Sequence, residues 1–291
     1  MSLRYRFLDT NAFPAVYRTF VRAFSDYALD MSYMAEGSLY SRAVKNGVDF
    51  ESSVGAYYDQ QMVGFTLIGV DHFRGALSAF DIGTGVIADY RGRGVASEML
   101  DFALPRLKEG GVRKFVLEVL QDNERAVRAY RKTGFEVVRE LDCFELSLES
   151  FNHRRDGEAV ARARVRSVGR DHLALFQDAL DWQPSWENSF ASIRRIPDEV
   201  RLYEADFAGQ PAGLLAYYPL LNWIMTVVVR RPYRRQGVGS LLVGHLVERI
   251  KDRESSVKLL NVQRDDDGMQ TFLTGLGFHR YVSQFEMESL L

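Results

Sequence analysis

Apolar and polar positions recur with regular periods through the first half of this 291-residue chain. Residues 4–8 alternate between charged and apolar side chains, which is typical of a half-buried strand. A helix is predicted to begin near Asn11, because apolar residues then recur every three or four positions from Phe13 to Phe24. The same reasoning predicts a hairpin (54–58 and 62–70), a strand (77–87), a helix (96–109), a strand (114–119), a helix (123–133) and closing strands (136–148).

The second half of the chain repeats the first at an offset of 143 residues, which carries Arg91–Ala96 (RGRGVA) onto Arg234–Gly239 (RRQGVG). Each of these turns follows an apolar run and begins a helix. The same offset carries the pair Gly134-Phe135 onto Gly277-Phe278. A shift that preserves both a loop and a distant pair predicts an internal duplication, in which one fold is written twice.

A polar stretch at positions 149–158 (ESFNHRRDGE) separates the two copies. It interrupts the apolar pattern, as a linker does, and the alternation resumes at 161–167. The chain is also longer than most single domains, and each half is long enough to bury its own core. We therefore predict two domains, at residues 1–149 and 159–291.

Bulk composition narrows the classes of partner and cofactor. The formal net charge of −2 gives no basic excess, so a nucleic-acid partner is not expected. Cys143 is the single cysteine and the five histidines lack metal-ligand spacing, so neither an internal disulfide nor a metal site is predicted. No apolar run approaches the ~20 residues that span a bilayer, and residues 1–13 contain charges where a signal peptide would have its apolar core. We expect a cytoplasmic protein with no membrane partner.

The two glycine-containing turns are candidate anion sites. Glycines let backbone N–H groups close around an anion, and the helix that follows directs its positive dipole end toward it. Arginines beside the glycines favour a phosphate or pyrophosphate. Neither turn has the spacing of a P-loop or of a dinucleotide-binding fold, and a tight strand-to-helix turn is the structural alternative for either one taken alone.

The residues after the first turn resemble a known family. The strand Phe115–Val119 and the segment Asn123–Glu136 together read LEV…N…A…Y.K.GF. With RGRGVA, this pattern is similar to the GCN5-related N-acetyltransferase (GNAT) superfamily, and in particular to its ribosomal-protein N-terminal acetyltransferases. The resemblance covers both halves and implies a tandem fold, each domain being mixed α/β with a central, splayed, mostly antiparallel sheet flanked by helices.

The resemblance also implies a cofactor, acetyl-CoA, and the residues that hold it. Loop amides would grip the pyrophosphate, strand backbone would pair with the pantetheine arm, and an asparagine would lie nearby. In the first half these positions are Val86, Ile87, Arg91, Gly92, Arg93, Gly94, Val95, Ala96 and Asn123. In the second half they are Val229, Arg234, Arg235, Gln236, Gly237, Val238 and Gly239.

Transfer to an amine also requires a base and an acid. An amine of pKa ~10 is mostly protonated at neutral pH, so a carboxylate must remove a proton directly or through water. Glu118 lies 12 residues before Tyr130, the spacing in the ribosomal-protein subgroup, and is our first choice; Asp81, on the strand before the loop, is the alternative. By analogy with the family, Tyr130 would protonate the departing CoA thiolate.

The second copy departs from the pattern where chemistry would occur. The offset of 143 turns Glu118 into Asn261 and Tyr130 into Leu273, so both the base and the acid are lost. We therefore predict an N-acetyltransferase whose first domain alone transfers acetyl, by direct attack, to a small-molecule or peptide amine. The second domain is expected either to bind CoA without transfer or only to retain the shape of the fold. A non-catalytic acyl-CoA-binding sensor or interaction module is the alternative.

Overall fold

The computed structural model describes residues 3–27, 30–152, 163–207 and 209–291. The chain forms two compact units. Unit 1 comprises Met1–Val138 together with the last residues of the chain, Phe285–Leu291, and unit 2 comprises Arg139–Gln284. Each unit is mixed α/β with a central sheet and flanking helices, which confirms the predicted fold class.

Unit 1 contains the elements predicted for the first half and adds a second helix before the hairpin. In chain order they are β1 (Arg4–Phe7), α1 (Phe13–Ala23), α2 (Glu36–Lys45), β2 (Val54–Tyr58), β3 (Gln61–Phe73), β4 (Ala76–Val86), α3 (Val95–Glu109), β5 (Lys114–Leu120) and α4 (Glu124–Lys132). Strands β1 to β4 pair antiparallel in sequence order, and β5 then pairs parallel to β4. The sheet is therefore mostly antiparallel, as expected.

Unit 2 repeats this arrangement with fewer residues between the strand that corresponds to β1 and the glycine loop. Its elements are β6 (Glu136–Ser147, which enters the unit at Arg139), β7 (Ala163–Val168), α5 (Phe190–Arg195), β8 (Arg201–Phe207), β9 (Gln210–Tyr218), β10 (Trp223–Val229), α6 (Val238–Ile250), β11 (Ser256–Gln263), α7 (Asp267–Leu276) and β12 (His279–Leu290, which leaves the unit after Gln284). The sheet order is β7-β8-β9-β10-β11-β6, and only β10 and β11 are parallel among these neighbours.

The units differ from the predicted halves in the strand that completes each sheet. Residues 141–147 of β6 pair with β11 inside unit 2, and Phe144 and Leu146 lie in its core. The end of β12 lies beside β5 inside unit 1, where Met287 is fully buried. Each core is thus completed by a strand from the other half of the sequence. Of the predicted linker, residues 153–158 lie outside the described residues.

Backbone geometry supports the duplication independently of the residue types. Gly94 and Gly237 both have φ 83° and ψ 0°, in the left-handed region, immediately before helices α3 and α6. Two positions earlier, Gly92 has φ 76° and its counterpart Arg235 has φ 60°. Arg235 adopts a conformation that costs a non-glycine residue energy. The loop shape is therefore retained in unit 2 even where the glycine is not.

The helices have ordinary lengths for globular units, the longest being the 15 residues of α3. Within the part of the chain that the structure describes, none is both long and apolar enough to cross a membrane.

Candidate active site

Asp81 and Tyr130 form a hydrogen-bonded pair in unit 1. The Tyr130 hydroxyl on α4 donates to Oδ2 of Asp81 on β4 over 3.2 Å. The Tyr130 ring packs edge-to-face against Phe135, with 5.6 Å between ring centroids, and Phe135 packs in the same manner on Phe115. These aromatic contacts fix the ring from behind, so the hydroxyl is held at the carboxylate.

A β-bulge sets the direction of Asp81. The antiparallel register runs from Leu67 opposite Gly83 to Ile68 opposite Asp81, which leaves Ile82 as the extra residue on β4. The parallel ladder between β4 and β5 extends as far as Phe80, so Asp81 is the first residue beyond it. A bulge redirects the side chains that follow it and is frequent beside active sites.

Burial opposes ionisation of this pair. Desolvation raises the pKa of Asp81 from 3.8 to about 6, against hydrogen bonds from Thr84 and Tyr130 that act in the opposite direction. Burial also raises the pKa of Tyr130 well above 10, and the neighbouring Asp81 charge adds to that shift. A carboxylate with a pKa near neutrality next to a neutral phenol is a suitable arrangement for moving protons at physiological pH.

The raised pKa of Asp81 predicts a pH-dependent gain in stability for Asp81→Asn. Below about pH 4 the Asp81 carboxyl is neutral and makes its full contribution to the stability of the folded state. That contribution is lost as the pH rises through the folded-state pKa of about 6. The amide carries no charge, so at pH 8 it should stabilise unit 1 by up to about 3 kcal/mol, and at pH 4 by little.

Thermal unfolding of Asp81→Asn and wild type at the two pH values measures this difference. Asp26→Asn is the control of opposite sign, because a hydrogen bond from Arg91 lowers the pKa of Asp26. That variant should be less stable than wild type at pH 8. An Asp81→Asn variant that gains equally at both pH values would contradict the electrostatic explanation.

The other predicted base lies elsewhere on the same sheet. Glu118 is on β5 with a partly buried side chain. Asp81 is the carboxylate that the structure places within hydrogen-bond distance of Tyr130. The choice of Glu118 rested on its spacing from Tyr130, and that spacing carries no information on the bulge at Ile82. The role of Glu118 as the base therefore remains a prediction, whereas the hydrogen bond to Tyr130 supports Asp81 as the base.

The glycine loop of unit 1 has the features of an anion site. Gly92 and Gly94 adopt positive φ angles, and the N-terminus of α3 follows directly. A Cβ added at Gly92 would lie 3.2 Å from Nη2 of Arg125, so this guanidinium lies over the loop. Arg125 lies two residues after Asn123, the asparagine of the family pattern, but was not among the predicted residues. The loop, the helix dipole and a cation fit a pyrophosphate.

Two of the predicted cofactor-binding arginines instead direct their side chains onto the protein. Arg91 donates from Nε to the Val86 carbonyl over 2.9 Å and from Nη2 to the Ala23 carbonyl over 2.6 Å, and forms an ion pair with Asp26. These bonds fasten the loop to the end of β4 and to α1. A contribution of Arg91 to ligand binding would therefore come from its backbone.

Arg234 repeats these contacts in unit 2. It donates to the Val229 carbonyl over 2.8 Å and to the Ala179 carbonyl over 2.8 Å, and pairs with Asp181 at 2.6 Å. The first arginine of each loop therefore anchors the turn.

Asn123 also has a structural role. Its side-chain oxygen accepts from the Ala126 N–H and caps α4, and Asp266 caps α7 in the same way. The cap explains why the offset preserves an Asx residue here, since Asn and Asp are both strong helix caps. Proximity of Asn123 to a cofactor remains a prediction.

Unit 2 carries a cavity at the corresponding loop. Its volume is about 500 Å³, and it is bounded by the ends of β10 and β11, the start of α6 and one face of α7. Of the residues predicted to hold a cofactor, those that line it are Val229, Arg234, Arg235, Gly237, Val238 and Gly239. Gln236 is the predicted residue of this set that is not in the lining. The structure thus brings these residues together around a ligand-sized space.

The candidate catalytic residues Asp81 and Tyr130 of unit 1 have apolar counterparts in unit 2, as does the neighbouring Thr84. The offset places Ile224 at Asp81, Val227 at Thr84 and Leu273 at Tyr130, and all three lie in the core. Asn261, the counterpart of Glu118, is buried and donates to the Ser185 hydroxyl over 3.2 Å. Unit 2 therefore keeps the shape of the site without an acid or a base at these positions.

Comparison with known proteins identifies the family. The sequence pattern of the Acetyltransferase (GNAT) family matches residues 13–135 and 165–278, which together form most of the chain. The chain belongs to the GNAT family. The two matched segments also agree with the duplication seen in the sequence and in the loop backbone.

Curated relatives of this GNAT protein match it over parts of their length. It is 43% identical over 56 residues to the mycothiol acetyltransferase of Corynebacterium aurimucosum, a match that covers 19% of this chain and 18% of the relative. It is 30% identical over 86 residues to N-alpha-acetyltransferase 30 of Schizosaccharomyces pombe, covering 29% of this chain and 57% of the relative. Each match spans less than two-thirds of the relative.

Solved structures show the tandem GNAT fold over nearly the whole chain. The GCN5-related N-acetyltransferase from Sphaerobacter thermophilus aligns with a TM-score of 0.73 at 16% identity, covering 99% of this chain and 95% of that one. The tandem GNAT protein from the clavulanic acid biosynthesis pathway aligns with a TM-score of 0.74 at 16% identity, covering 99% and 98%. At such low identity these likenesses establish the fold.

Proposed function

We propose that unit 1 transfers an acetyl group from acetyl-CoA to a primary amine, and that the Asp81–Tyr130 pair carries the proton transfers. The hydrogen bond between these two side chains, beyond the point where β4 and β5 stop pairing, is the observation that supports the proposal. Acetyl-CoA would supply an activated acetyl group, and the loop Arg91–Ala96 with Arg125 would hold its phosphates.

In the proposed reaction an N–C bond forms and the C–S bond of the thioester breaks. Asp81 accepts a proton from the attacking amine, directly or through water, and Tyr130 donates its hydroxyl proton to the departing sulfur. Because Tyr130 already donates to Asp81, the proton that Asp81 gains can return to the phenolate oxygen. The second proton of the ammonium passes to solvent as the amide forms, the side chains regain their starting protonation, and the products are an amide and a free thiol.

A covalent acetyl-enzyme is not needed in this scheme. Cys143 is buried in unit 2 and contacts Asn261 and Gln284. Because its thiol is buried, Cys143 is unsuited to act as an acyl carrier, and direct attack within a ternary complex is the proposed route. A buried free thiol also fits the reducing cytoplasm that the sequence favours.

Unit 2 is proposed to bind an acyl-CoA without turning it over. Its cavity and loop favour this second, non-catalytic function, and its apolar residues at the acid and base positions exclude the chemistry proposed for unit 1. The acceptor of unit 1 is proposed to be a peptide or small-molecule amine. The partial likeness to an N-alpha-acetyltransferase makes a peptide α-amine the first probe.

Tyr130→Phe tests the proposed function, because it removes the acidic proton and keeps the ring that packs on Phe135. With acetyl-CoA and a short peptide bearing a free α-amino group, then spermidine and glucosamine, we expect kcat to fall by about 10- to 1000-fold with the acetyl-CoA KM little changed. Release of the CoA thiol and mass spectrometry of the acetylated amine measure the rate. Full activity in Tyr130→Phe would refute its role as the acid.

The same assay separates the two candidate bases. Asp81→Asn should slow turnover at neutral pH and recover partly at high pH, where more of the amine is already neutral. Glu118→Gln is the matched change on β5 and should have a smaller effect. The opposite ranking would return the role of base to Glu118.

A further inference from the structure

Two threonine hydroxyls lie behind Asp81 and contact it in series. The Thr84 hydroxyl lies 3.0 Å from Oδ1 and 2.9 Å from Oδ2 of Asp81. On its other side it lies 2.7 Å from the hydroxyl of Thr66, which is fully buried on β3 directly opposite Thr84. Neither threonine was a predicted site residue, since a hydroxyl on a strand carries no chemical signature in the sequence.

The direction of the hydrogen bonds that link Thr66, Thr84 and Asp81 follows from counting the protons available to each group. An ionised carboxylate only accepts hydrogen bonds, and a hydroxyl has one proton to donate. The proton of Thr84 must therefore point at Asp81, so Thr84 has to accept from Thr66. The result is a directed chain, Thr66 to Thr84 to Asp81, that meets the donated hydroxyl of Tyr130 at the same carboxylate.

We propose that Thr84 is a positioning residue for Asp81, held in its donating orientation by Thr66, and that the pair keeps this carboxylate ionised and aimed at Tyr130. The inference rests on the proposed function of unit 1. A donor shared between both carboxylate oxygens stabilises the charged form and restricts rotation of the group. Asp81 is partly buried and lies beside a phenol, and this donor acts together with the Arg42 cation on α2, which also lowers the pKa of Asp81.

Unit 2 shows that the fold does not require these hydroxyls. The bulge recurs there, with Met225 in the place of Ile82. Val227 stands at the position of Thr84, and its cross-strand partner is Leu215, as Thr66 is the partner of Thr84. The same backbone therefore forms with both hydroxyls replaced by apolar groups. The hydroxyl pair occurs in the unit that also has the acid and the base.

The test is Thr84→Val, which keeps the shape and removes the donor. Loss of one charge-assisted hydrogen bond should move the acidic limb of the kcat/KM profile, and the Asp81 carboxyl titration followed by ¹³C NMR, upward by about one pH unit. At pH 7 we expect a fall of about 10-fold in kcat for acetylation of the free-amine peptide, with an unchanged KM for acetyl-CoA. Thr84→Ser should restore both readouts.

Ser78→Ala is the control for loss of a buried hydroxyl on the same strand. Ser78 lies three positions before Asp81 and its hydroxyl donates to the backbone carbonyls of Phe73 and Ala76. The Ser78→Ala variant should leave the pH profile and the Asp81 titration at their wild-type positions.

The outcomes are distinguishable. Superimposable titrations in wild type and Thr84→Val overturn the inference, and so does a loss of rate with an unshifted profile that Thr84→Ser fails to recover. Absence of turnover in wild type with every amine probe counts against the proposed function instead. In that event the NMR titration of Asp81, assigned with Asp81→Asn, still decides the role of Thr84.

Discussion

Gly94→Asp is expected to abolish acetylation, whereas Gly237→Asp leaves most of it. The aspartate places a negative charge at the N-terminus of α3, where the proposed pyrophosphate lies. Two unit charges about 4 Å apart at an effective dielectric constant of about 20 repel by about 4 kcal/mol, which corresponds to roughly a thousand-fold loss of acetyl-CoA affinity at unit 1. Calorimetric titration with acetyl-CoA and the thiol-release assay measure the two effects.

The duplication supplies a matched control for this experiment. Gly94 and Gly237 have the same φ of 83° and ψ of 0°, so an aspartate meets the same backbone strain in either unit. Gly94→Asn adds a side chain of the same size without the charge and should retain more affinity than Gly94→Asp. Activity that survives in Gly94→Asp and disappears in Gly237→Asp would assign the reaction to unit 2 and overturn the acid and base named here.

Local sequence was sufficient to predict both loops and, apart from α2, the helices and strands of the first half. The turn at Arg91–Ala96 was found because glycines at positive φ and an arginine that anchors a strand end are both marked by residue type. The offset to Arg234 identified the second copy for the same reason. In both loops the residues were predicted as ligand contacts, and the structure adds that the first arginine's side chain holds the turn together.

The contact between Asp81 and Tyr130 could not be predicted in the same way. Successive side chains of a strand point to opposite faces of the sheet. One extra residue at Ile82 therefore changes the face on which the neighbouring side chains of β4 lie. Nothing in the residue types around Ile82 marks a bulge. Spacing along the chain therefore favoured Glu118, and the fold placed Asp81 at the phenol.

The local sequence pattern also did not predict which sheets β6 and the end of β12 join. The polar stretch at 149–158 marks the end of β6, and a break in the pattern is naturally taken as a domain boundary. Which sheet a strand joins depends on pairing partners far away in sequence, such as β11 for residues 141–147. Periodicity identifies a strand and its buried face but is silent on that choice.

Met287→Asp, near the end of the chain, is expected to destroy the activity of unit 1. Met287 is fully buried in the core of unit 1, although it lies more than 140 residues beyond the rest of that unit. Its neighbour Glu286 is also fully buried and pairs with Arg74 at 2.6 Å. A charge placed without a partner in such a core costs several kcal/mol, comparable with the ~5–15 kcal/mol that holds a typical domain folded.

Leu290→Asp is the matched control, because it makes a similar change three residues further on at a side chain that is 87% exposed. Hydrogen exchange should show loss of protection in β3, β4 and β5 of Met287→Asp, with acetylation lost, while Leu290→Asp keeps both. Protection lost throughout unit 2 alone, or wild-type activity in Met287→Asp, would contradict the assignment of these last residues to unit 1. The expected result would make the end of the second sequence half a structural requirement for catalysis by the first.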